Sequence, residues 1–257
     1  MIDAINEVDA AFVIDTTGSM GPFIGAAKTH LVRLLDTLTH AADISLRVGI
    51  VEYRDHVPQD RVLTRVYSFT SDLATVQRRI TDLTPDGGGD GAEAVLDGIV
   101  DACRKLEWRR HARRLCVLVG DAPPHGTGFH DDNFPRGCPC GESMESIAAL
   151  CEETGITLYA LGLTFHVKES FGKLASATGG AYHEAGNANR AIEQMGAVLK
   201  VEFGNLELDR RVYTASQEDE NVPLETLAEQ WGMPRAQVAA SWVRLCSRGL
   251  LKEPVKA

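Results

Sequence analysis

Residues 10–20 read AAFVIDTTGSM, an apolar run that stops at an aspartate and continues into hydroxyl side chains and a glycine. A short, uninterrupted apolar run is typical of a strand buried on both faces of a parallel sheet. From Pro22 onward, apolar residues recur at helical spacing, so the sequence predicts a long amphipathic helix directly after this strand. The chain therefore opens with a β–α unit.

Strands and helices continue to alternate up to about residue 204. Apolar or alternating patterns predict strands over residues 44–51, 63–69, 115–119 and 156–161, and helical spacing predicts helices over 73–83, 94–106 and 147–151. This order predicts an α/β fold with a doubly wound, mostly parallel sheet. Ligands of such sheets bind beyond the carboxyl ends of the strands, so we expect a functional site in the loops that follow them.

Three of these loops carry an aspartate. Asp15 and Asp121 directly follow all-apolar strands, and Asp90 follows a run of three glycines. Thr17 and Ser19 lie on the same turn as the first aspartate, where alternate residues of an extended turn point to one side. Carboxylate and hydroxyl oxygens form a hard donor set, which suits Mg²⁺ or Mn²⁺ better than softer metals. The sequence therefore predicts a divalent-cation site at this edge.

The pattern Asp15-x-Thr17-x-Ser19 resembles the metal-ion-dependent adhesion site (MIDAS) of the von Willebrand factor type A (VWA) domain. The resemblance covers residues 8–203 and implies a Rossmann-like VWA domain over residues 1–204. It also implies that these three side chains bind the metal and that Asp121 acts behind them. The segment GGGDGAE replaces the threonine loop of many members and resembles the hemicentin and alpha-kinase branch, so we expect Asp90 to bind the metal directly.

The same resemblance implies a binding function without catalysis. The metal would accept an Asp or Glu of a partner protein, and such domains often work beside AAA+ ATPases or in bacterial signalling and defence complexes. A metal-dependent hydrolase or phosphatase is the alternative. A haloacid-dehalogenase-type phosphatase would need a second aspartate at the position of Thr17, and the chain contains no Gly-x-Ser-x-Gly motif of a serine hydrolase.

The segment that follows Asp121 is rich in metal-binding side chains. His125, His130, Cys138 and Cys140 could form a tetrahedral Zn²⁺ site, since imidazole nitrogen and thiolate sulfur both suit zinc. The Cys-Pro-Cys spacing is tighter than that of common zinc motifs, so a loop without metal stays open as the alternative.

Residues 205–257 change in character, with an acidic linker over 217–221 and two short predicted helices. This succession of two short helices predicts a helix-turn-helix or winged-helix-like module, with a wing strand near residues 249–251. Its side chains that could contact nucleic acid are Arg235, Gln237, Arg244 and Arg248. Because acidic residues slightly outnumber basic ones in this module, we favour protein docking, with a DNA-associated regulator as the alternative.

Composition and charge limit the partners and the cell compartment that the chain is expected to have. The chain has 26 basic and 36 acidic residues, a net charge of -10, which disfavours nucleic acid and anionic membranes as the main partners. The sequence shows neither a signal-peptide pattern nor an apolar run long enough to span a bilayer, so we expect a cytoplasmic protein. Six cysteines are too few for a disulfide scaffold, and four of them are expected in the core: Cys103, Cys116, Cys151 and Cys246.

Overall fold

A computed structural model describes residues 2–42, 44–219 and 222–252. Its strands are β1 (Glu7–Asp15), β2 (Ser45–Tyr53), β3 (Thr64–Thr70), β4 (Arg113–Gly120), β5 (Ile156–Gly162) and β6 (Tyr182–Glu184). They form one six-stranded sheet in the order β3-β2-β1-β4-β5-β6. All neighbours pair in parallel except β2 and β3, which are antiparallel. The predicted doubly wound, mostly parallel sheet is confirmed.

The helices of the described ranges are α1 (Ile2–Ile5), α2 (Gly21–Ala42), α3 (Leu73–Asp82), α4 (Val95–Lys105), α5 (Met144–Glu153), α6 (Lys168–Ala177), α7 (Ala188–Glu218), α8 (Leu224–Trp231) and α9 (Arg235–Ser247). Helical spacing alone did not identify α6 and α7. Helix α7 has no clear helical spacing of apolar residues because it packs against α2, β5 and α9, so these residues do not follow a single stripe. No helix in these ranges is both long and apolar enough to cross a bilayer.

Alternate residues of β1 supply two separate cores. Phe12 and Ile14 pack into a cluster shared with α2, α3 and α7, whereas Ala11 and Val13 pack into one shared with α4, α5 and α6. All four side chains are fully buried. This burial on both faces explains the unbroken apolar run in the sequence.

The sheet topology places the loops after β1 and β4 side by side. The chain leaves β1 towards β2 on one side, while β4 pairs with the other side of β1, with Ile14 opposite Val119. A doubly wound sheet opens a crevice where neighbouring connections diverge in this way. Asp15, the last residue of β1, and Asp121, the first residue after β4, therefore flank that crevice.

The boundary predicted between residues 204 and 205 falls inside a helix. α7 continues without interruption through 31 residues, and the predicted linker over 217–221 begins within its last turn. Its second half packs with α1, α8 and α9 in a third core that includes Ile5, Val212 and Leu245. The module therefore packs on the second half of α7 and on α1. Residues 249–251 form a turn and a bend instead of the predicted wing strand, and residues 253–257 lie outside the described ranges.

The cysteine predictions are confirmed in the main. Cys103, Cys116 and Cys151 are buried, while Cys246 is only partly buried. Cys138, assigned from sequence to a loop, is buried as well.

Candidate metal centre

The turn after β1 brings the three predicted oxygen donors together. Asp15 Oδ1 accepts hydrogen bonds from the backbone N–H of Thr17, at 2.8 Å, and from its hydroxyl, at 2.6 Å. The hydroxyl oxygens of Thr17 and Ser19 lie 3.4 Å apart. Asp15 is fully buried, and its second oxygen, Oδ2, is buried without a hydrogen-bond partner. A carboxylate oxygen can only accept, so this atom has room for a donor or a cation.

Asp121 lies against the same turn from the end of β4. Burial raises the pKa of Asp121, although a side-chain hydrogen bond with Ser19 opposes the rise. Burial and then the charge of Asp121 raise the pKa of Asp15 to about 7. Two carboxylates close together in a dry cavity repel each other, and a bound divalent cation would remove that repulsion.

Glu93 is a third carboxylate of this centre, and the sequence analysis did not identify it. It is 3% exposed, and burial followed by the charge of Asp15 raises its pKa to about 10. Its Oε2 atom is buried without a hydrogen-bond partner. A Cβ built on Gly88 would lie 3.0 Å from Glu93 Oε1 and 3.2 Å from Thr17 Cβ, so the glycine loop passes directly between these two side chains. The signal in the sequence is the glutamate that ends the segment GGGDGAE.

Asp90 does not take the position that we predicted for it. Its Oδ2 accepts the backbone N–H of Asn133, at 2.6 Å, and its carboxylate groups with Asp55 and His125, all ligand atoms within 4.8 Å of one another. Glu93 takes the place beside Asp15 because its backbone is fixed to the loop after Asp121, where its N–H donates to the carbonyl of Pro123 at 3.0 Å. The structure thus places Glu93 next to Asp15, while Asp90 faces Asp55 and His125.

The four predicted zinc ligands are not assembled as a set. Both ring nitrogens of His125 are taken by carboxylates, Nε2 by Asp55 at 2.7 Å and Nδ1 by Asp132 at 2.8 Å. Burial lowers the pKa of His125, but these two hydrogen bonds outweigh it and raise the pKa above its usual value. His130 packs its ring on Phe129.

Of that quartet, only the two cysteines contact each other. The Sγ atoms of Cys138 and Cys140 lie 2.9 Å apart. The histidine that contacts Cys138 is His56, from the loop after β2, a residue that the sequence analysis did not connect with it.

Two of the four residues predicted to contact nucleic acid form hydrogen bonds inside the protein. Arg244 donates to the fully buried carboxylate of Asp209 at 2.6 Å. Arg248 is buried and donates to the carbonyls of Ala4 and His111 at 2.8 and 2.9 Å. These bonds attach α9 to α7, to α1 and to the loop before β4, which corrects the assignment of both arginines to a binding surface.

The other two are at the surface. Arg235 forms an ion pair with Glu225, and Gln237 is exposed. One paired arginine and one glutamine supply little of the positive charge that nucleic-acid binding draws on.

The fold and the oxygen donors together define a class of protein. Residues 9–196 match the family model of the von Willebrand factor type A domain. Because the match covers most of the chain, the chain belongs to the VWA family. The resemblance seen in the sequence is thereby confirmed.

The chain is similar to a curated protein and to several solved structures. The alpha-protein kinase vwkA of Dictyostelium discoideum is 32% identical over 145 residues, which are 54% of this chain and 23% of that protein. The structure of proximal thread matrix protein 1 from the mussel byssus, described with a zinc-occupied MIDAS motif, has a TM-score of 0.56 at 17% identity and covers 79% of this chain and 47% of its own. The pilus adhesin SpaC from Lactobacillus rhamnosus GG, in an open conformation, has a TM-score of 0.57 at 16% identity, with coverages of 79% and 30%. The chain thus spans about a quarter of the curated relative.

Proposed function

We propose that this chain is a non-enzymatic adaptor whose bound Mg²⁺ or Mn²⁺ accepts an acidic side chain of a partner protein. The residues that would hold the cation are Asp15, Thr17, Ser19 and Glu93, with Asp121 behind them. The observation that carries the proposal is the pair of buried carboxylate oxygens without partners, on Asp15 and Glu93. The charge of Asp15 raises the pKa of Glu93, so the two carboxylates lie close together, and oxygen donors of this kind fit a hard divalent cation.

A cation in this crevice would supply positive charge and a coordination position for an incoming carboxylate. The chain's own residues then tune the strength of that position. Glu93 belongs to the loop that replaces the threonine loop of many VWA domains, and it adds a negative charge beside Asp15. We infer that the metal is held more tightly than at a threonine-type site and that the partner's carboxylate binds more weakly.

Specificity would come from the rim around the crevice, since one carboxylate cannot distinguish partners. Val57 and Phe165 are each 73% exposed, and they lie on the loops after β2 and β5, at the same edge of the sheet as Asp15. A groove of about 520 Å³ is lined in part by Phe129, Met144 and His166, the residue after Phe165. Exposed apolar side chains around a polar centre are typical of protein-binding surfaces. We therefore propose a protein partner, such as an AAA+ ATPase or a signalling complex.

The hydroxyl groups of the centre support binding rather than nucleophilic catalysis. Thr17 donates to Asp15, and its oxygen lies 3.4 Å from that of Ser19. In the described residues, the side-chain contacts of these two hydroxyls are with carboxylates and with each other, not with a histidine that could act as a base. For the C-terminal module we propose protein docking over a DNA-associated role, because Arg244 and Arg248 form hydrogen bonds inside the protein and are not available to nucleic acid.

The test measures the metal and the partner separately. Calorimetric titration of the metal-free chain should show one site for Mg²⁺ or Mn²⁺, which Asp15→Ala abolishes. Asp86→Ala is the matched control, because Asp86 lies in the neighbouring loop with its side chain 77% exposed. Partner capture should succeed with Mg²⁺ and fail with EDTA or with Asp15→Ala. Partners that survive both treatments would show that binding does not use the metal.

A further inference from the structure

A second cluster of metal-binding atoms lies beside the Asp15 centre. His56 Nε2 lies 3.1 Å from Asp97 Oδ2 and 3.2 Å from Cys138 Sγ. Cys138 Sγ lies 3.0 Å from the same Asp97 oxygen. The three residues come from the loop after β2, from the first turn of α4 and from the segment between β4 and α5, and all three are buried.

A fourth donor lies next to one corner of this triangle, Cys138. Cys140 Sγ lies 2.9 Å from Cys138 Sγ, and the residue is exposed. The set then contains one imidazole nitrogen, two sulfurs and one carboxylate oxygen. These are the three donor types that zinc takes in proteins, usually four at a time.

The geometry argues against a catalytic cysteine. In a relay of cysteine, histidine and carboxylate, the carboxylate binds one ring nitrogen and the sulfur the other. Here Asp97 and Cys138 both contact Nε2 of His56, and they also contact each other. Three ligand atoms that converge on one point are arranged for chelation and not for passing a proton along a line.

We propose that His56, Asp97, Cys138 and Cys140 bind one Zn²⁺ ion. With zinc bonds of about 2.0–2.3 Å, the ligand atoms of a tetrahedral site lie roughly 3.3–3.8 Å apart. Four of the six separations are 2.9–3.2 Å: the three sides of the triangle and the contact between the two sulfurs. The triangle therefore needs to open by less than about 1 Å to admit the ion, and the Cys140 sulfur, which lies outside the group of atoms within 4.8 Å of one another, needs to turn towards His56 and Asp97. This set replaces the quartet expected from the sequence, with His56 and Asp97 in place of His125 and His130.

The two centres select different metals by their donors. Sulfur and imidazole favour zinc, whereas the oxygens around Asp15 favour Mg²⁺ or Mn²⁺. The zinc site is structural, because it ties three segments that are far apart in the chain. It also supports the rim of the Asp15 crevice: the backbone N–H of His56 donates to Asp55 Oδ1 at 2.6 Å, and that oxygen contacts His125.

The proposal is tested with zinc and with cobalt as its spectroscopic substitute. The full chain, purified under reducing conditions, should hold about one zinc per molecule, and the Co²⁺ form should show thiolate-to-cobalt charge-transfer absorption. Cys140→Ser should lower zinc affinity by more than about 100-fold in a chelator competition, beyond the 10–100-fold typical of outer-shell changes. Because Cys140 is exposed, this variant should keep the fold, which far-ultraviolet circular dichroism checks.

Controls separate this site from the Asp15 centre. Cys246→Ser removes a thiol outside the cluster and should leave both signals unchanged. Asp15→Ala should abolish Mg²⁺ binding and retain the charge-transfer bands. The proposal is overturned if the wild-type chain takes up no zinc, if Co²⁺ binds without thiolate bands, or if Asp15→Ala rather than Cys140→Ser removes the zinc.

Discussion

Replacing Glu93 by glutamine should stabilise the metal-free protein. At neutral pH the free glutamate would be ionised, with an ordinary pKa of 4.5, whereas in the folded chain burial and Asp15 raise the pKa to about 10. Folding at pH 7 therefore costs the free energy of taking up a proton. Glutamine has nearly the same shape as a protonated glutamate and carries no charge in either state, so it avoids that cost.

The size of the effect follows from the pKa. A group with a raised carboxyl pKa loses stability steadily between its unfolded and folded values, at about 1.4 kcal/mol per pH unit. From 4.5 to neutral pH is about 2.5 units, so Glu93→Gln should raise the free energy of unfolding by up to about 3 kcal/mol. The sign is opposite to that of a salt-bridged carboxylate: the metal-free wild type should be more stable at about pH 5 than at about pH 8.

Urea denaturation in EDTA measures this directly, at both pH values and for both proteins. Saturating Mg²⁺ should reverse the order, because the wild-type glutamate gains an ion for its unpaired oxygen and the glutamine does not. Glu93→Asp serves as the control that retains the charge. A metal-free Glu93→Gln variant that is no more stable than wild type, with an unchanged pH dependence, would refute the placement of Glu93 beside Asp15.

Three further perturbations follow from other contacts. Gly88→Ala should weaken Mg²⁺ binding by about 10-fold in calorimetry, since a Cβ at φ +78° enters the metal crevice, whereas Gly128→Ala, at φ +84° with nothing within 4 Å, bears the same backbone strain and should bind normally. Glu202→Gln should lower the unfolding free energy by about 3 kcal/mol, because it leaves the largely buried Arg113 without its charge partner. Burial raises the pKa of Glu202, but Arg113 outweighs that effect and lowers it. In acid denaturation, the wild type should therefore lose this stability as the pH falls below the ordinary pKa of glutamate. Arg244→Ala should lower the unfolding free energy by about 2 kcal/mol in urea denaturation, because the buried Asp209 then keeps only Ser241 and, at 3.7 Å, Arg248; unchanged stability would mean that the arginine is free for another role.

Local chemistry made much of the fold and four of the five residues of the centre predictable. The apolar run that ends at Asp15 is typical of a strand buried on both faces, and Thr17 and Ser19 follow within one turn. Asp121 could be added because parallel strands present their carboxyl ends at one edge. Each of these inferences uses neighbours in sequence or a general rule of sheet topology, so no knowledge of distant contacts was needed.

Sequence neighbours and sheet topology could not tell whether Asp90 or Glu93 lies next to Asp15. Only two residues lie between them, in a loop where Gly87 and Gly88 adopt positive φ, and only the packed structure shows which carboxylate turns inward. The hydrogen bond from the backbone of Glu93 to Pro123 makes that choice, and it joins two loops that are distant in sequence.

Tertiary contacts also decided the features that were predicted wrongly or missed. His56 and Cys138 are 82 residues apart, and no spacing motif connects them. Arg244 and Arg248 look like surface charges until Asp209 and the backbone carbonyls around them are seen. A pattern of residue types reports the period of burial along one element, whereas the partner of a buried polar group is set by how the elements pack against each other.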